Sequence, residues 1–221
     1  MPICVFDIFP DGTTKVPDDT ALTGPGAYRW WHYDLSDPSL ASWVATHLPP
    51  IPAGALMQPE TRPRCDEFGD GLMLNLRGIN MNAGQHADQM VSDRMWVAAD
   101  VVITVRLRKI YAIDEIRQLA VAHAAPPSPA VFLRALIGRL TARVQEEVAQ
   151  LAARTEFYET DLEDRSTPPP KDLPITRRSV IKLRRYLDPQ RAALVTLAEI
   201  DLTIIPEADA LHLRELANRT T

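Results

Sequence analysis

Apolar and polar positions change rhythm midway along this chain. In the first half the apolar residues fall in short runs of strand character: Ile3 to Phe9, Ala27 to Asp34 (AYRWWHYD), Arg62 to Phe68, Gly71 to Asn80, Met90 to Val97 and Val101 to Leu107. Turn signals at Gly69-Asp70-Gly71, Asn82-Ala83-Gly84 and Ala98-Ala99-Asp100 separate the last four. Connections this short favour hairpins or a meander over a purely parallel sheet, and predict one sheet of about six strands. Between them, DPSLASWVATH (Asp37 to His47) predicts a helix with Asp37 as N-cap and Pro38 at its first position, broken by Leu48-Pro-Pro-Ile-Pro.

The second half has a helical period. Tyr111 to His123 predicts a short helix ended by Pro126-Pro127. Ser128 then caps a long one with Pro129 at its first turn. Its stripe of Leu133, Ile137, Leu140, Val144, Val148, Leu151, Thr155, Tyr158 and Leu162 covers 29 residues in eight steps, a mean of about 3.6, interrupted only by Thr155. From Ser128 to Arg165 such a helix measures roughly 57 Å at 1.5 Å per residue, longer than the ~45 Å diameter of a globule of this chain length. It should overhang the body. Thr167-Pro-Pro-Pro-Lys171 turns the chain back into a second helix with Val180, Leu183, Leu187, Leu194 and Leu197 on one face, where Pro189 should kink or split it. A last helix starts at Pro206, with Glu207 and Asp209 near its positive end, and reaches Thr221 without a glycine cap. Frayed terminal chain and a helix cut in mid-course are equally good readings of that end.

Charge adds a polarity to this pattern. Residues 141–165 hold seven acids and three arginines; residues 171–191 hold seven basic residues and two aspartates. An antiparallel hairpin lays these opposite charges side by side, and pairing between them is expected alongside the plainer reading of two solvated faces. The whole chain of 221 residues carries net charge −5, so no electrostatic footprint for nucleic acid is present. Its start, MPICVFDIFPDG, lacks the basic and apolar segments of a secretion signal, and no window approaches the roughly 20 apolar residues of a membrane span. Two cysteines without a CxxC spacing fit reduced thiols in a cytosolic compartment. The chain reads as a soluble α/β protein.

Chemistry is sparse. GxGxxG, GxxxxGK[ST], GxSxG and HExxH are all missing, and the five histidines are scattered. Asp66, Glu67 and Asp70 at a turn suit a hard cation, but acidic turns are common. His86 and Asp88 lie two apart in a loop and read more simply as a solvated turn. Cys4 and Cys65 could meet across adjacent strands to hold a soft metal, or be buried structural thiols. Trp30, Trp31, Trp43 and Trp96 occupy core-like positions. No catalytic residue and no cofactor requirement is expected.

The stretch ETRPRCDEFGDGLMLNLRGINMN (Glu60 to Asn82), with MVSDRMWV (Met90 to Val97) and VVITVRLRKIYAIDEIR (Val101 to Arg117), resembles the cytosolic domain of the ZntB branch of the CorA family of divalent-metal transporters. TRRSVIKLRRYLDPQRAALVTL (Thr176 to Leu197) is similar to that family's penultimate cytosolic helix, and HLRELANRTT to the opening of its stalk helix. The similarity runs from about residue 27 onward; the RPR and LNLRGIN segments are its most specific parts.

The resemblance implies an α/β/α sandwich with a mixed, largely antiparallel sheet between helix layers, then a long helical hairpin and the start of a stalk helix. Residues 1–127 would form the α/β body, 128–205 the hairpin, and 206–221 the stalk start. It further implies a homopentamer whose missing C-terminal helices, two per subunit with a Gly-Xaa-Asn motif, enter the inner membrane, the present domain forming a cytoplasmic funnel. Zinc is the implied cargo, with magnesium or cobalt as the alternative; a stand-alone enzyme or binding module is a different class that an apolar pocket with convergent polar groups would favour. A funnel biased negative would concentrate cations near its pore, and Glu146, Glu147, Glu156, Glu159, Asp161, Glu163 and Asp164 are the candidate carriers.

Overall fold

A computed structural model of the chain describes residues 1–163, 170–200 and 202–220, with side chains of 160–163 left aside. Seven strands form one sheet: β1 (Cys4–Ile8), β2 (Thr14–Lys15), β3 (Tyr28–Asp34), β4 (Arg64–Phe68), β5 (Gly71–Gly78), β6 (Val91–Val97) and β7 (Val101–Arg106), in the order β2-β1-β3-β7-β6-β5-β4. The two-residue strand β2 is the one without a sequence signal. Strands β4 to β7 form the expected antiparallel meander. Only β3 and β7 run parallel, with Trp30 opposite Val102 and His32 opposite Thr104. That parallel contact requires the chain to cross from β3 to the far edge of the sheet before returning.

Helices α1 (Leu40–His47) and α2 (Pro50–Leu56) make the crossing. The first begins at Leu40 rather than Pro38: the Asp37 carboxylate accepts the Ser39 N–H (2.9 Å) and hydroxyl (2.7 Å), closing a turn just before the helix. The proline cluster ends α1 as expected, yet Pro50 then opens α2, because proline suits a first helical turn. Trp31, Tyr33, Trp96, Val101, Ile103 and Val105 of the sheet pack under Leu40, Val44 and Leu56.

On the opposite face lie α3 (Tyr111–Val121), α4 (Pro129–Glu163), α5 (Leu173–Glu199) and α6 (Glu207–Asn218). Strand alternation supplies Trp30, Leu72, Leu74, Leu76, Met95, Val97 and Val102 to this side, against Ile113, Phe132, Leu136, Leu140, Leu197 and Leu213. Ser128 caps α4 by accepting the Val131 N–H at 3.3 Å. His123 takes the left-handed conformation (φ 56°) just after α3, terminating it. Pro189 does not split α5, which continues unbroken from Leu173 to Glu199. Burial of Leu183 before the proline and of Leu194 and Leu197 after it keeps both halves helical despite the missing hydrogen bond.

Candidate functional site

The outer part of α4 is where the candidate carboxylates fall. Leu133, Ile137 and Leu140 belong to the main core, and Val144 and Leu151 to a smaller cluster with Leu183 of α5 and Met90. Beyond Leu151 the stripe thins. Thr155 is exposed, its hydroxyl bonded to the Leu151 carbonyl, and Phe157 is 61% exposed. Among the described residues Tyr158 alone stays buried there, and the Leu162 side chain lies outside them. The Tyr158 hydroxyl donates to Asp172 at 2.6 Å and lies 3.1 Å from the Thr176 hydroxyl, tying α4 to the start of α5.

Glu146, Glu156 and Glu159 are exposed and Glu147 is half-buried. Glu156 and Glu159, three residues apart, share one flank of the helix. The Asp161, Glu163 and Asp164 side chains lie outside the described residues. The expected pairing with α5 does not involve Glu146, Glu147 or Glu159, which make no ion pair among the described residues. Arg139 and Arg143 of α4 pair with Glu115 of α3, and Arg134 pairs with Asp209 of α6. Arg184 of α5 pairs within its own helix, with Asp188 at 3.2 Å. Apolar side chains face across the α4–α5 seam, so the charges sit on outer flanks where water solvates each as well as a partner would. Unpaired carboxylates keep their full field, which reaches about 8–10 Å at physiological salt.

None of the other metal candidates assembles. Cys4 lies on β1 and Cys65 on β4, separated by four strands, so they cannot meet. Burial pushes each thiol up to about 12, which keeps both protonated and poor as ligands. Asp88 bonds to Ser179 (2.9 Å) and Lys182 (3.2 Å) instead of joining His86. Asp66 pairs with Arg64 at 3.3 Å, while Glu67 and Asp70 stay exposed. Among the described residues no group of three or more His, Cys, Asp or Glu could hold a metal ion. The four tryptophans are core residues as expected, Trp43 half-buried with its ring 4.7 Å from that of Trp31.

Sequence reading missed the ionisable groups inside the sheet. Asp93 of β6 is wholly buried; desolvation pushes its carboxyl up to about 8 against the opposing charges of Arg94 and Arg106, and neither oxygen has a hydrogen-bond partner. Arg94, on the other face, donates to the carbonyls of Gln58 (2.6 Å) and Pro59 (2.8 Å), fixing the chain after α2. His32 lies 2.8 Å from the Thr104 hydroxyl, and burial first, then Arg106, pushes its imidazole down to about 3. The charged pair inside MVSDRMWV was the available signal. No described helix is long and apolar enough to cross a membrane.

Known proteins give this arrangement its class. Zinc transport protein ZntB of Yersinia enterocolitica is 29% identical over 210 residues, covering 94% of this chain and 64% of that protein. The divalent cation transporter CmaX of Pseudomonas aeruginosa is 32% identical over 202 residues, 89% of this chain and 61% of that one. The solved full-length CmaX matches with a TM-score of 0.90 at 29% identity, over 99% of this chain and 70% of its own. The ZntB cytoplasmic domain from Vibrio parahaemolyticus matches with a TM-score of 0.85 at 25% identity, over 99% and 87%. The mixed sheet between helix layers, with its long helix pair, is thus the cytoplasmic-domain fold of CorA-type metal-ion transporters. The chain belongs to that family: the model described as CorA-like Mg2+ transporter protein matches residues 25–221. It spans about three fifths of the length of these curated relatives.

Proposed function

We propose that this chain is the cytoplasmic domain of a ZntB-like zinc transporter. In the full protein it forms the entry funnel of a homopentameric pore on the cytoplasmic face of the inner membrane, joined to the bilayer by helices that follow residue 221. Zinc is cargo here, not a resident cofactor.

One observation carries the mechanism: Glu146, Glu147 and Glu159 stand on the outer part of α4 with no cation paired to them among the described residues. Repeated around a five-fold axis, such carboxylates make a negative vestibule that raises local cation concentration and encounter rate. No bond to a metal is needed for this, which agrees with the absence of a ligand cluster among the described residues. Zinc rather than magnesium rests on the named relatives, because no His or Cys group among the described residues marks a preference for a softer metal. A magnesium or cobalt transporter is the second reading, favoured by the family model's own description.

The full-length protein in vesicles tests both parts. Zinc uptake well above magnesium uptake is expected. Changing Glu146, Glu147, Glu156 and Glu159 together to Gln should slow initial flux several-fold at low ionic strength, with the difference shrinking as salt is added. Equal flux in the variant and the parent at low salt refutes the vestibule.

A further inference from the structure

A cleft of about 780 Å³ opens where β5 leaves the sheet and β6 enters it, with the middle of α5 as its roof. Its walls carry five cations, Arg62, Arg77, Arg108, Lys182 and Arg185, against two acids, Glu60 and Asp88. This local excess of positive charge opposes the net charge of −5 on the chain.

How the charges are committed decides what the cleft can bind. Asp88 is occupied, accepting from Lys182 (3.2 Å) and Ser179 (2.9 Å), so that acid and that lysine offset each other. Arg77 is locked as part of the wall. Its guanidinium donates to the carbonyls of Met90 (2.8 Å) and Thr61 (2.7 Å) and lies 4.0 Å from the centre of the Tyr186 ring, while its backbone N–H donates to Gln190 of α5 at 2.6 Å. Carbonyl dipoles and a ring face hold a guanidinium without cancelling its charge. Arg108 donates to neutral Gln85 at 2.9 Å. Arg62 and Arg185 are exposed and have no ion-pair partner among the described residues. Four guanidiniums therefore surround one concavity with Glu60 as the one acid left to balance them.

A concave, positively charged surface focuses its field on an anion, and guanidinium forks match the oxygens of phosphate. The volume lies within the ~300–1,000 Å³ of small-molecule sites, far beyond what a bare ion fills. Arg77 covers the Tyr186 ring, which leaves recognition to the charged groups rather than to stacking. Leu107 is the one large apolar side chain exposed in the lining, too little to seat acyl chains. Arg62 and Arg77 also fall in the RPR and LNLRGIN segments, which no role in cation attraction explains.

We propose that this cleft binds a soluble phosphate ester of nucleotide size, held through its phosphate groups by Arg62, Arg108 and Arg185 over the fixed charge of Arg77. Such a site makes the domain a receptor for an anionic metabolite, whatever cation the full protein moves.

Calorimetric titration of the 221-residue chain with ATP, inorganic phosphate and phosphatidylglycerol vesicles, at matched ionic strength, tests the assignment. ATP should bind, and more tightly than inorganic phosphate. The double variant Arg62→Ala/Arg185→Ala should weaken ATP binding by at least about tenfold, the loss expected for removing charge-assisted hydrogen bonds, with an unchanged thermal melt because both side chains are exposed. Arg108→Ala should weaken it separately, and Arg178→Ala, exposed on α5 outside the cleft, should not. Three results overturn the proposal: no ATP binding at millimolar concentration, equal losses from Arg178→Ala and the cleft variants, or binding of the vesicles without ATP.

Discussion

Arg29 and Asp7 form a two-point pair inside the protein, Nε to Oδ1 at 2.6 Å and the second guanidinium nitrogen to Oδ2 at 2.9 Å, with side chains 0% and 3% exposed. The same guanidinium donates to the carboxylate of Asp19, which is 59% exposed, and to the Ala21 carbonyl, so it pins the loop between β2 and β3. The two aspartates should differ sharply on removal. Asp7→Ala leaves a buried cation without its main partner and should cost about 3–5 kcal/mol. Asp19→Ala removes a solvent-screened partner and should cost far less. Urea unfolding of the two variants measures the difference; similar midpoints would mean the buried pair contributes no more than the exposed one.

Asp93 makes stability depend on pH between about 4 and about 8. An unfolded aspartate titrates near 3.8, whereas burial holds the native carboxyl at about 8. Between those values the native state keeps a proton that the unfolded chain has released, so stability falls as pH rises from about 4 to about 8. Asp93→Asn should abolish that decline, gaining on the parent protein progressively from pH 5 to pH 9. Denaturant midpoints that stay parallel across that range would show that the native carboxyl is ionised.

His32 works in the other direction. Its imidazole stays neutral in the fold down to about 3, while an unfolded histidine takes up a proton near 6.5. Stability is therefore lost as pH falls below about 6.5. In NMR titration the His32 ring should keep its neutral-form shift from pH 8 to pH 5; a midpoint inside that interval contradicts the burial argument.

Two glycines should respond oppositely to alanine. A Cβ on Gly71 would stand 2.3 Å from the Trp96 indole, so the ring must move, at a cost of about 1–3 kcal/mol. Gly138, inside α4, has open space at its Cβ position, and Gly138→Ala should stabilise by about 0.5–1 kcal/mol. Thermal melts of both variants decide it, and a rise for Gly71→Ala would contradict the packing.

Tyr158→Phe should loosen the junction of α4 and α5. The hydroxyl bonds to Asp172 and lies beside the Thr176 hydroxyl, so it ties the outer part of α4 to the start of α5. Faster amide exchange confined to the first turns of α5 is the expected result. Exchange unchanged there would show that the bond does not hold the helices together.

Much of this was legible residue by residue. The 3.6 period of α4, the Ser128 cap and the turn signals between β4, β5, β6 and β7 are local features, since each depends on residues within a few positions of one another. Resemblance carried by RPR and LNLRGIN pointed to the transporter fold. Tertiary structure alone could pair β3 with β7 in parallel, since His32 and Thr104 are 72 residues apart and no local pattern encodes that neighbour. It also separated Cys4 from Cys65 and left Glu146, Glu147 and Glu159 without a partner on α5 among the described residues, because strand order and helix rotation follow from burying apolar faces. The cleft of arginines gathers side chains from the loop before β4, from β5, from the segment after β7 and from α5. Each of them reads in the sequence as an ordinary surface cation, and only the fold makes them neighbours.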